Sequence, residues 1–222
     1  MKINTIYPAI EGEGVRVGTP QLFIRTQGCS IGCKNCDTVG SWNPNTGTEM
    51  SVKEIFQKVI DSGLDSISIT GGNPLEQDLY DLVGLLHRRN FTVNIEITGQ
   101  DNDEEVLDLV DFISCDIKTP STGVTANLDI IDDILKSYGH CTQIKCVCAD
   151  QADLDFIIDC YNRFKDRLDY HMVITPCWTE RASAADVEFI DHIMKTVMDN
   201  NYHMRVIVQQ HKLLFGSKRG DV

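Results

Sequence analysis

From residue 20 onward the chain alternates short β-rich runs with helical ones, and no linker, low-complexity tract or repeat separates them. This alternation is typical of βα units packed around a parallel sheet. The predicted strands cover residues 21–25, 66–70, 91–97, 112–117, 143–148, 170–175 and 202–208. Seven strands are too few to close an eight-stranded barrel. The sequence therefore predicts an α/β fold built as a partial, open βα barrel of about six to seven parallel strands.

Helical periodicity fills the segments between these strands. The clearest helix begins at Ser51, because Ser51 and Glu54 have the spacing of a capping box and an apolar stripe follows them. Gly63 is well placed to end this helix. Further helical patterns cover residues 79–86, 103–109, 128–138, 152–164 and 184–198. We therefore predict that residues 1–222 form a single domain of six or seven βα units.

The composition narrows the classes of function. At 222 residues and 42% hydrophobic content, the chain can bury a substantial core. Its formal net charge of −13 argues against a general nucleic-acid or membrane-surface binder, since affinity for polyanions comes from clustered Lys and Arg. The N-terminus opens without an apolar signal segment, and no run approaches the length of a membrane span. We expect a soluble, cytoplasmic protein with a small-molecule substrate.

Three of the nine cysteines form a compact loop directly after the first predicted strand. Cys29, Cys33 and Cys36 have the spacing C-x3-C-x2-C, which is one thiolate short of a closed zinc site or an ordinary ferredoxin cluster. This spacing indicates a metal centre with one open position. A second cluster within residues 141–148 is disfavoured, because two of its three cysteines lie in the alternating pattern of a strand.

Polar residues follow several predicted strands at their C-terminal ends, where the active sites of βα barrels lie. The cysteine loop follows the first strand, and later strands are followed by Thr70 to Pro74, Glu96 to Gly99, Asp116 to Lys118, Pro176 and Gln209 to Lys212. Because the βα loops converge at this edge, we expect these residues to surround one site. Of the six histidines, His211 falls there, although a structural role for it is equally open.

The cysteine loop and the Gly-Gly-Asn-Pro turn at residues 71–74 together resemble the radical S-adenosylmethionine superfamily. That resemblance implies a 4Fe-4S cluster held by the three cysteines, with S-adenosylmethionine chelating the fourth iron. Transfer of one electron to the sulfonium then gives methionine and a deoxyadenosyl radical, chemistry that belongs to the cofactors. By composition alone, the glycine turn could also be a plain surface turn.

The segments that flank the cysteine loop narrow the resemblance to one family. Similarity to the 7-carboxy-7-deazaguanine synthase family is carried by Tyr7 to Gly14, Gly18 to Pro20, Phe23 to Cys29, Cys36 to Thr38, Ser41-Trp42 and Gln210 to Gly216. This resemblance covers nearly the whole chain. It implies a lyase that rearranges 6-carboxy-5,6,7,8-tetrahydropterin into 7-carboxy-7-deazaguanine with loss of ammonia, on the way to queuosine and other 7-deazapurines of modified tRNA.

The resemblance also implies which residues contact S-adenosylmethionine. They are Asn35, Cys36, Asp37, Gly71, Gly72, Asn73, Asp116, Ile117 and Lys118. The two glycines let the backbone approach the ligand closely. Asn73 stands where the superfamily has a carboxylate, so it can accept a hydrogen bond but adds no charge. At residues 116–118 the family often has Ser-Pro-Lys, and Lys118 is the residue that matches.

Substrate contacts carry over from the family in the same way. They are Ile10, Glu11, Gly12, Glu13, Arg25, Thr70 and the terminal carboxylate of Val222. Arg25, Thr70 and His211 are the predicted catalytic residues. The planar fork of Arg25 suits a substrate carboxylate, although a structural ion pair remains an alternative. Glu11 replaces the family's usual Gln, and an ionised carboxylate cannot donate the hydrogen bond that an amide donates.

Further expectations concern the metal, the partners and the alternatives. Thr38 matches the family's magnesium ligand, and the resemblance implies a flavodoxin or ferredoxin as electron donor and a homodimer. A radical S-adenosylmethionine activase, which makes a glycyl radical on a partner enzyme, is the first alternative. The small-anion pocket expected from Glu11 to Gly14 and Arg25 disfavours it. A noncatalytic zinc or iron–sulfur module is disfavoured by the missing fourth ligand and the acidic charge.

Overall fold

A computed structural model describes residues 1–168, 172–177 and 183–215. Within them, nine strands form one sheet: β1 Lys2–Ile10, β2 Pro20–Thr26, β3 Thr48–Glu49, β4 Ser66–Thr70, β5 Thr92–Ile97, β6 Phe112–Ile117, β7 Thr142–Cys148, β8 Met172–Pro176 and β9 Met204–Val206. Their order is β3-β1-β2-β4-β5-β6-β7-β8-β9. From β2 to β9 the seven neighbouring strands are parallel, which confirms the predicted open sheet of βα units.

Helices connect the parallel strands. They are α1 Val52–Ser62, α2 Tyr80–Arg88, α3 Glu104–Leu107, α4 Leu128–Tyr138, α5 Gln151–Phe164, α6 Ala184–Asp199 and α7 Gln210–Phe215. Both halves of the predicted capping box are present at Ser51 and Glu54, and Gly63 ends α1 with a φ of 67°, a left-handed conformation that favours glycine. Each described helix is too short or too polar to cross a membrane.

The strands have one apolar face and one polar face. On β5, Val93, Ile95 and Ile97 are buried in the hydrophobic core, whereas Asn94 and Glu96 alternate with them on the opposite face. There Asn94 donates a hydrogen bond to the Ser68 hydroxyl of β4 (2.7 Å). The apolar faces pack in one core with the helices, and the polar face of the sheet is left for a site.

The N-terminal segment departs from the prediction. The sequence predicts no strand before residue 21, but residues 2–10 form β1, which pairs antiparallel with β2 and carries the short strand β3 on its other edge. Local pattern does not reveal β1, because polar residues and Pro8 interrupt its alternation and few of its side chains are buried. Its partner β2 begins ten residues after β1 ends, so the pairing is not encoded in a local pattern.

The C-terminal part also differs in detail. β9 ends at Val206 rather than at residue 208, so His211 lies in the first turn of α7 and not at a strand end. Residues 170 and 171 of the predicted sixth strand lie outside the described residues, as does Val222.

Candidate active site

One cavity of about 220 Å³ collects the predicted site residues at the C-terminal ends of the parallel strands. Those that line it are Ile10, Glu11, Gly12, Glu13, Arg25, Cys29, Cys33, Asn35, Cys36, Asp37, Thr38, Thr70, Gly71, Gly72, Asp116, Ile117, Lys118 and His211. Of the predicted residues that the structure describes, Asn73 is outside this lining set. Segments far apart in the chain are thus brought to one place by the parallel topology.

Hydrogen bonds fix the start of the cysteine loop to the turn that follows it. The side-chain amide of Gln27 donates to the carbonyl oxygens of Gly40 (3.1 Å) and Asn43 (3.0 Å). Gly28 has a φ of +111°, and its N–H donates to the Ser41 carbonyl (2.7 Å). A residue with a side chain would be strained at this φ. The loop therefore leaves β2 in a defined direction.

The two glycines of the next loop pack directly against the cysteine loop. A Cβ atom at Gly71 would lie 2.1 Å from the Thr26 hydroxyl oxygen, and one at Gly72 would lie 2.2 Å from the Gly28 carbonyl oxygen. The N–H of Asn73 donates to that same carbonyl (2.9 Å). The pair was expected to let a ligand approach the backbone, and the structure adds a packing reason for it. Glycine is needed for the two loops to touch.

Asn73 is 1% exposed and its side chain is occupied by protein groups. Its amide donates to the carboxylates of Asp101 and Glu76, and its carbonyl accepts from the Thr98 hydroxyl (3.4 Å). Glu76 also accepts from the backbone N–H of Ser30 (2.9 Å), inside the cysteine loop. Asn73 thus ties the glycine loop to the cysteine loop through Glu76, and its expected contact with S-adenosylmethionine stays a prediction.

The cysteine arrangement suits a multi-iron cluster. Cys29, Cys33 and Cys36 are all partly exposed free thiols on the cavity wall. Among the described residues, the ligand atoms of Glu13, Asp37 and His211 lie within 4.8 Å of one another, as ligands of a single ion would, and the three thiols form no such group. Thiolates that bind different irons of one cluster are farther apart than that. Burial raises the pKa of the Cys33 thiol, so the positive charge of a bound metal would favour its thiolate form.

A largely buried ion pair joins Glu13 to Lys145 of β7 in the cavity. Gln209 also donates to Glu13 (2.6 Å). Burial alone would raise the pKa of Glu13, but the Lys145 ammonium and these hydrogen bonds lower it to about 2. Burial would likewise lower the pKa of Lys145, yet Glu13, Asp116 and Glu96 hold it well above its usual value. Both groups are therefore charged at neutral pH.

Two further carboxyl groups in the cavity behave differently. Glu11 is 5% exposed and accepts hydrogen bonds from the Gln21 amide (2.7 Å) and the backbone N–H of Glu13 (3.1 Å). Burial, with the nearby charges of Glu96 and Glu13, raises the pKa of Glu11 to about 8. Burial also raises the pKa of Glu96, which accepts from the Thr70 hydroxyl (2.8 Å). Glu11 thus carries a proton at neutral pH.

Arg25 lies at the end of β2, where its side chain reaches the cavity. Its guanidinium donates to the Tyr7 hydroxyl (2.7 Å) and lies over the Tyr7 ring, whose plane stacks on Phe23. β1, the strand that the sequence did not reveal, therefore orients this side chain.

The Thr38 hydroxyl and the Lys118–Asp116 ion pair (2.9 Å) lie on the same cavity.

The start of α7 packs against the loop that follows β1. The N–H of Gln210 donates to the Gly12 carbonyl (2.9 Å), and a Cβ atom at Gly12 would lie 2.6 Å from Nδ1 of His211. Lys212 forms an ion pair with Asp37 in the cysteine loop (3.6 Å). Burial lowers the pKa of His211, so its imidazole is neutral at pH 7.

Several lining residues were given no catalytic or binding role from the sequence, among them Glu96, Lys145 and Trp42. A signal for the first two existed. In a strand with apolar residues at alternate positions, a charged side chain at the other positions must face a polar site or a partner. Trp42 was noted for its place in the family pattern, but its position beside Cys36 depends on the folded loop.

An open parallel βα sheet with a three-cysteine loop at its carboxyl edge defines an iron–sulfur enzyme of the radical S-adenosylmethionine class. The family described as a 4Fe-4S single cluster domain matches residues 10–119. SuiB from Streptococcus suis, solved with S-adenosylmethionine bound, is similar in fold with a TM-score of 0.60 at 13% identity, covering 82% of this chain and 48% of that one. The family match supports a 4Fe-4S cluster in this chain, and the likeness to SuiB shows the fold.

Relatives that match over the full length are more specific. A 7-carboxy-7-deazaguanine synthase from Thermoplasma acidophilum is 32% identical over 99% of this chain and 100% of its own. One from Bacillus subtilis is 30% identical over 96% and 95%. The crystal structure of QueE from Escherichia coli has a TM-score of 0.71 at 20% identity, covering 95% of this chain and 94% of that one. The chain belongs to the 7-carboxy-7-deazaguanine synthase family.

Proposed function

We propose that this enzyme converts 6-carboxy-5,6,7,8-tetrahydropterin to 7-carboxy-7-deazaguanine with loss of ammonia, in the biosynthesis of 7-deazapurines such as queuosine. The main support for this reaction is that the cysteine loop and the residues expected to contact a pterin line one cavity. Full-length relatives named 7-carboxy-7-deazaguanine synthase support the same reaction. An activase would need a protein substrate, and no relative described above favours that alternative.

When bound, the cluster and S-adenosylmethionine supply the one-electron chemistry that removes a hydrogen atom from the substrate. The residues of this chain bind and orient the pterin beside them. Arg25 at the end of β2 is the proposed clamp for the substrate carboxylate, and its contact with Tyr7 restricts its rotation. Thr70, Glu11 and Glu13 supply hydrogen-bonding groups on the neighbouring wall.

The protonation states in the cavity suit the loss of ammonia. Glu11 holds a proton on its carboxyl group at neutral pH, and His211 is a neutral imidazole. An amine leaves more easily once it is protonated, so a group that can give up a proton near pH 7 is useful here. We infer that Glu11 and His211 exchange protons with the substrate during the ring contraction.

Magnesium, the partners and the location complete the proposal. Thr38 is the proposed magnesium ligand, because its hydroxyl lies on the cavity beside the cysteine loop and Mg²⁺ prefers oxygen ligands. We further propose a flavodoxin or ferredoxin as electron donor, a homodimer, and a cytoplasmic single-domain enzyme in which residues 1–14 and the C-terminal segment contribute to substrate binding. Removal of Mg²⁺ by a chelator should lower turnover and leave the cluster spectrum intact.

The proposal is tested by anaerobic reconstitution with iron and sulfide, followed by S-adenosylmethionine, dithionite and the carboxytetrahydropterin. We expect formation of the deazaguanine acid, detected by mass spectrometry. Cys33→Ala should abolish it, whereas Cys141→Ala, a matched change outside the cysteine loop, should not. Product formation by the Cys33→Ala variant would exclude the cluster mechanism. Cleavage of S-adenosylmethionine without product in the wild type would instead favour the activase.

A further inference from the structure

One sulfur atom of the cysteine loop receives hydrogen bonds within the protein. Among the described residues, Sγ of Cys36 accepts from the indole N–H of Trp42 (3.3 Å) and from the backbone N–H of Thr38 (3.4 Å). The Thr38 hydroxyl lies 3.5 Å from the same sulfur. Sulfur accepts hydrogen bonds at longer distances than oxygen, so these are ordinary contacts. Two N–H groups of the protein are thus directed at the sulfur of Cys36.

Trp42 is held rigidly in this position by its own backbone. Its carbonyl accepts from the N–H of Cys29 (3.1 Å), and its N–H donates to the carbonyl of Val39 (3.1 Å). The residue before it, Ser41, accepts from the N–H of Gly28. Backbone bonds therefore connect Trp42 to the first cysteine, while its side chain contacts the third. The indole position does not depend on the indole N–H itself.

The direction of the resulting effect follows from charge. Reduction of an iron–sulfur cluster adds an electron that is shared by the thiolate ligands, so the sulfur becomes a stronger acceptor in the reduced state. An N–H aimed at that sulfur stabilises the reduced state more than the oxidised one. Loss of the N–H should therefore lower the reduction potential. Entry of water beside the sulfur would act in the opposite direction.

We propose that Trp42 is a positioning residue for the cluster, whose indole N–H bonds to the Cys36 thiolate and raises the reduction potential of the centre. The same bond restricts the side chain of Cys36, which would hold one iron of the cluster. The proposal rests on the cluster of the proposed function but not on the pterin substrate, so failure of product formation leaves it standing.

The first test is a redox titration of the reconstituted wild type and the Trp42→Phe variant without substrate, followed by electron paramagnetic resonance of the reduced cluster. Phenylalanine keeps an aromatic ring and the backbone bonds but removes the donor. We expect the equilibrium constant for reduction to fall about tenfold, equivalent to about 59 mV for a one-electron couple. Iron and sulfide content, measured on the same samples, controls for cluster assembly.

The second test removes the N–H without changing the shape of the side chain. Trp178 is the other tryptophan of the chain. In a Trp178→Phe background, global replacement of tryptophan by its benzothiophene isostere alters position 42 alone. Trp178→Phe with ordinary tryptophan is the matched control. A lowered potential in the isostere protein is expected.

Two results would overturn the proposal. One is an unchanged or higher potential in the isostere protein, which would mean that the N–H does not act on the cluster. The other is failure of both altered proteins to hold a cluster while the wild type and the Trp178→Phe control hold one, since Trp42 would then serve assembly rather than the potential.

Discussion

At the scale of single residues, Glu11 shows how burial changes what a side chain can offer. From sequence, a carboxylate at this place could accept but not donate a hydrogen bond. In the structure both its oxygens accept from protein donors, and burial together with neighbouring carboxylates raises its pKa to about 8. A protonated carboxyl group has a donor and an acceptor, as the amide of Gln does. The chemical difference from the family's usual residue is therefore smaller than the sequence suggests.

Replacing Glu11 by glutamine should change how the stability of the protein depends on pH. The pKa of Glu11 is raised from 4.5 to about 8, so the folded state binds this proton more tightly than the unfolded state. The tighter binding of this proton stabilises the folded state fully below pH 4.5, and this stabilisation is lost as the pH rises through 8. Because a glutamine does not titrate, the variant should become more stable relative to the wild type across this interval.

Urea unfolding at several pH values between 4.5 and 8 measures the difference. Titration of one proton changes the difference in free energy of unfolding between the two proteins by at most about 1.4 kcal/mol per pH unit. Coupling of Glu11 to Glu96 will reduce this slope. Glu54→Gln, an exposed position outside the cavity, is the control for a general effect of losing a carboxylate. Parallel pH profiles for the wild type and Glu11→Gln would show that Glu11 is ionised in the folded state.

At the scale of elements, the site depends on contact between two loops. Gly72 touches Gly28 and Cys29 so closely that any side chain must separate the loops. We predict that Gly72→Ala moves the cysteine loop enough to prevent stable cluster binding, while the strands and helices still form, because the affected residues lie outside them. The measurement is the iron and sulfide content after reconstitution, with circular dichroism to follow the fold.

Gly40→Ala is the matched control for this change. Gly40 lies in the turn that receives the cysteine loop, and nothing lies within 4 Å of a Cβ atom built there. We expect this variant to hold a full cluster. Equal cluster content in the two variants would contradict the argument that loop contact controls assembly.

Sequence reasoning succeeded for elements whose signal is local. The seven parallel strands and the capped helix α1 followed from periodicity, turn residues and one capping pair, which are properties of short segments. β1 was missed because its pairing with β2 outweighs a weak local pattern. The alternation of β7 was a signal that Lys145 faces a polar site, but nothing local indicated its partner Glu13, which is 132 residues away. Contacts of that kind have no signature in a single sequence.

At the scale of the whole molecule, the cavity is completed by both ends of the described chain. Residues 11–13 follow β1, and α7 follows β9, yet Gln210 bonds to Gly12 and Gln209 to Glu13. These residues are separated by almost the full length of the chain. Lys212 adds a link from α7 to Asp37 of the cysteine loop. The part of the cavity formed by residues 11–13 and α7 can therefore assemble only after the sheet has brought the two ends of the described chain together.

The link between α7 and the cysteine loop predicts a separation of activity from stability. Lys212→Met should change the free energy of unfolding by no more than about 1 kcal/mol, because solvent screens the pair at the half-exposed Asp37 and methionine keeps most of the buried stem of Lys212. Loss of the ion pair should nevertheless loosen His211 against the substrate, and we expect kcat/KM to fall roughly tenfold, equivalent to about 1.4 kcal/mol. Lys195→Met, which breaks the exposed pair with Asp191 on α6, is the matched control. If both variants lose activity equally, or if Lys212→Met also loses its cluster, the ion pair does not act by positioning α7.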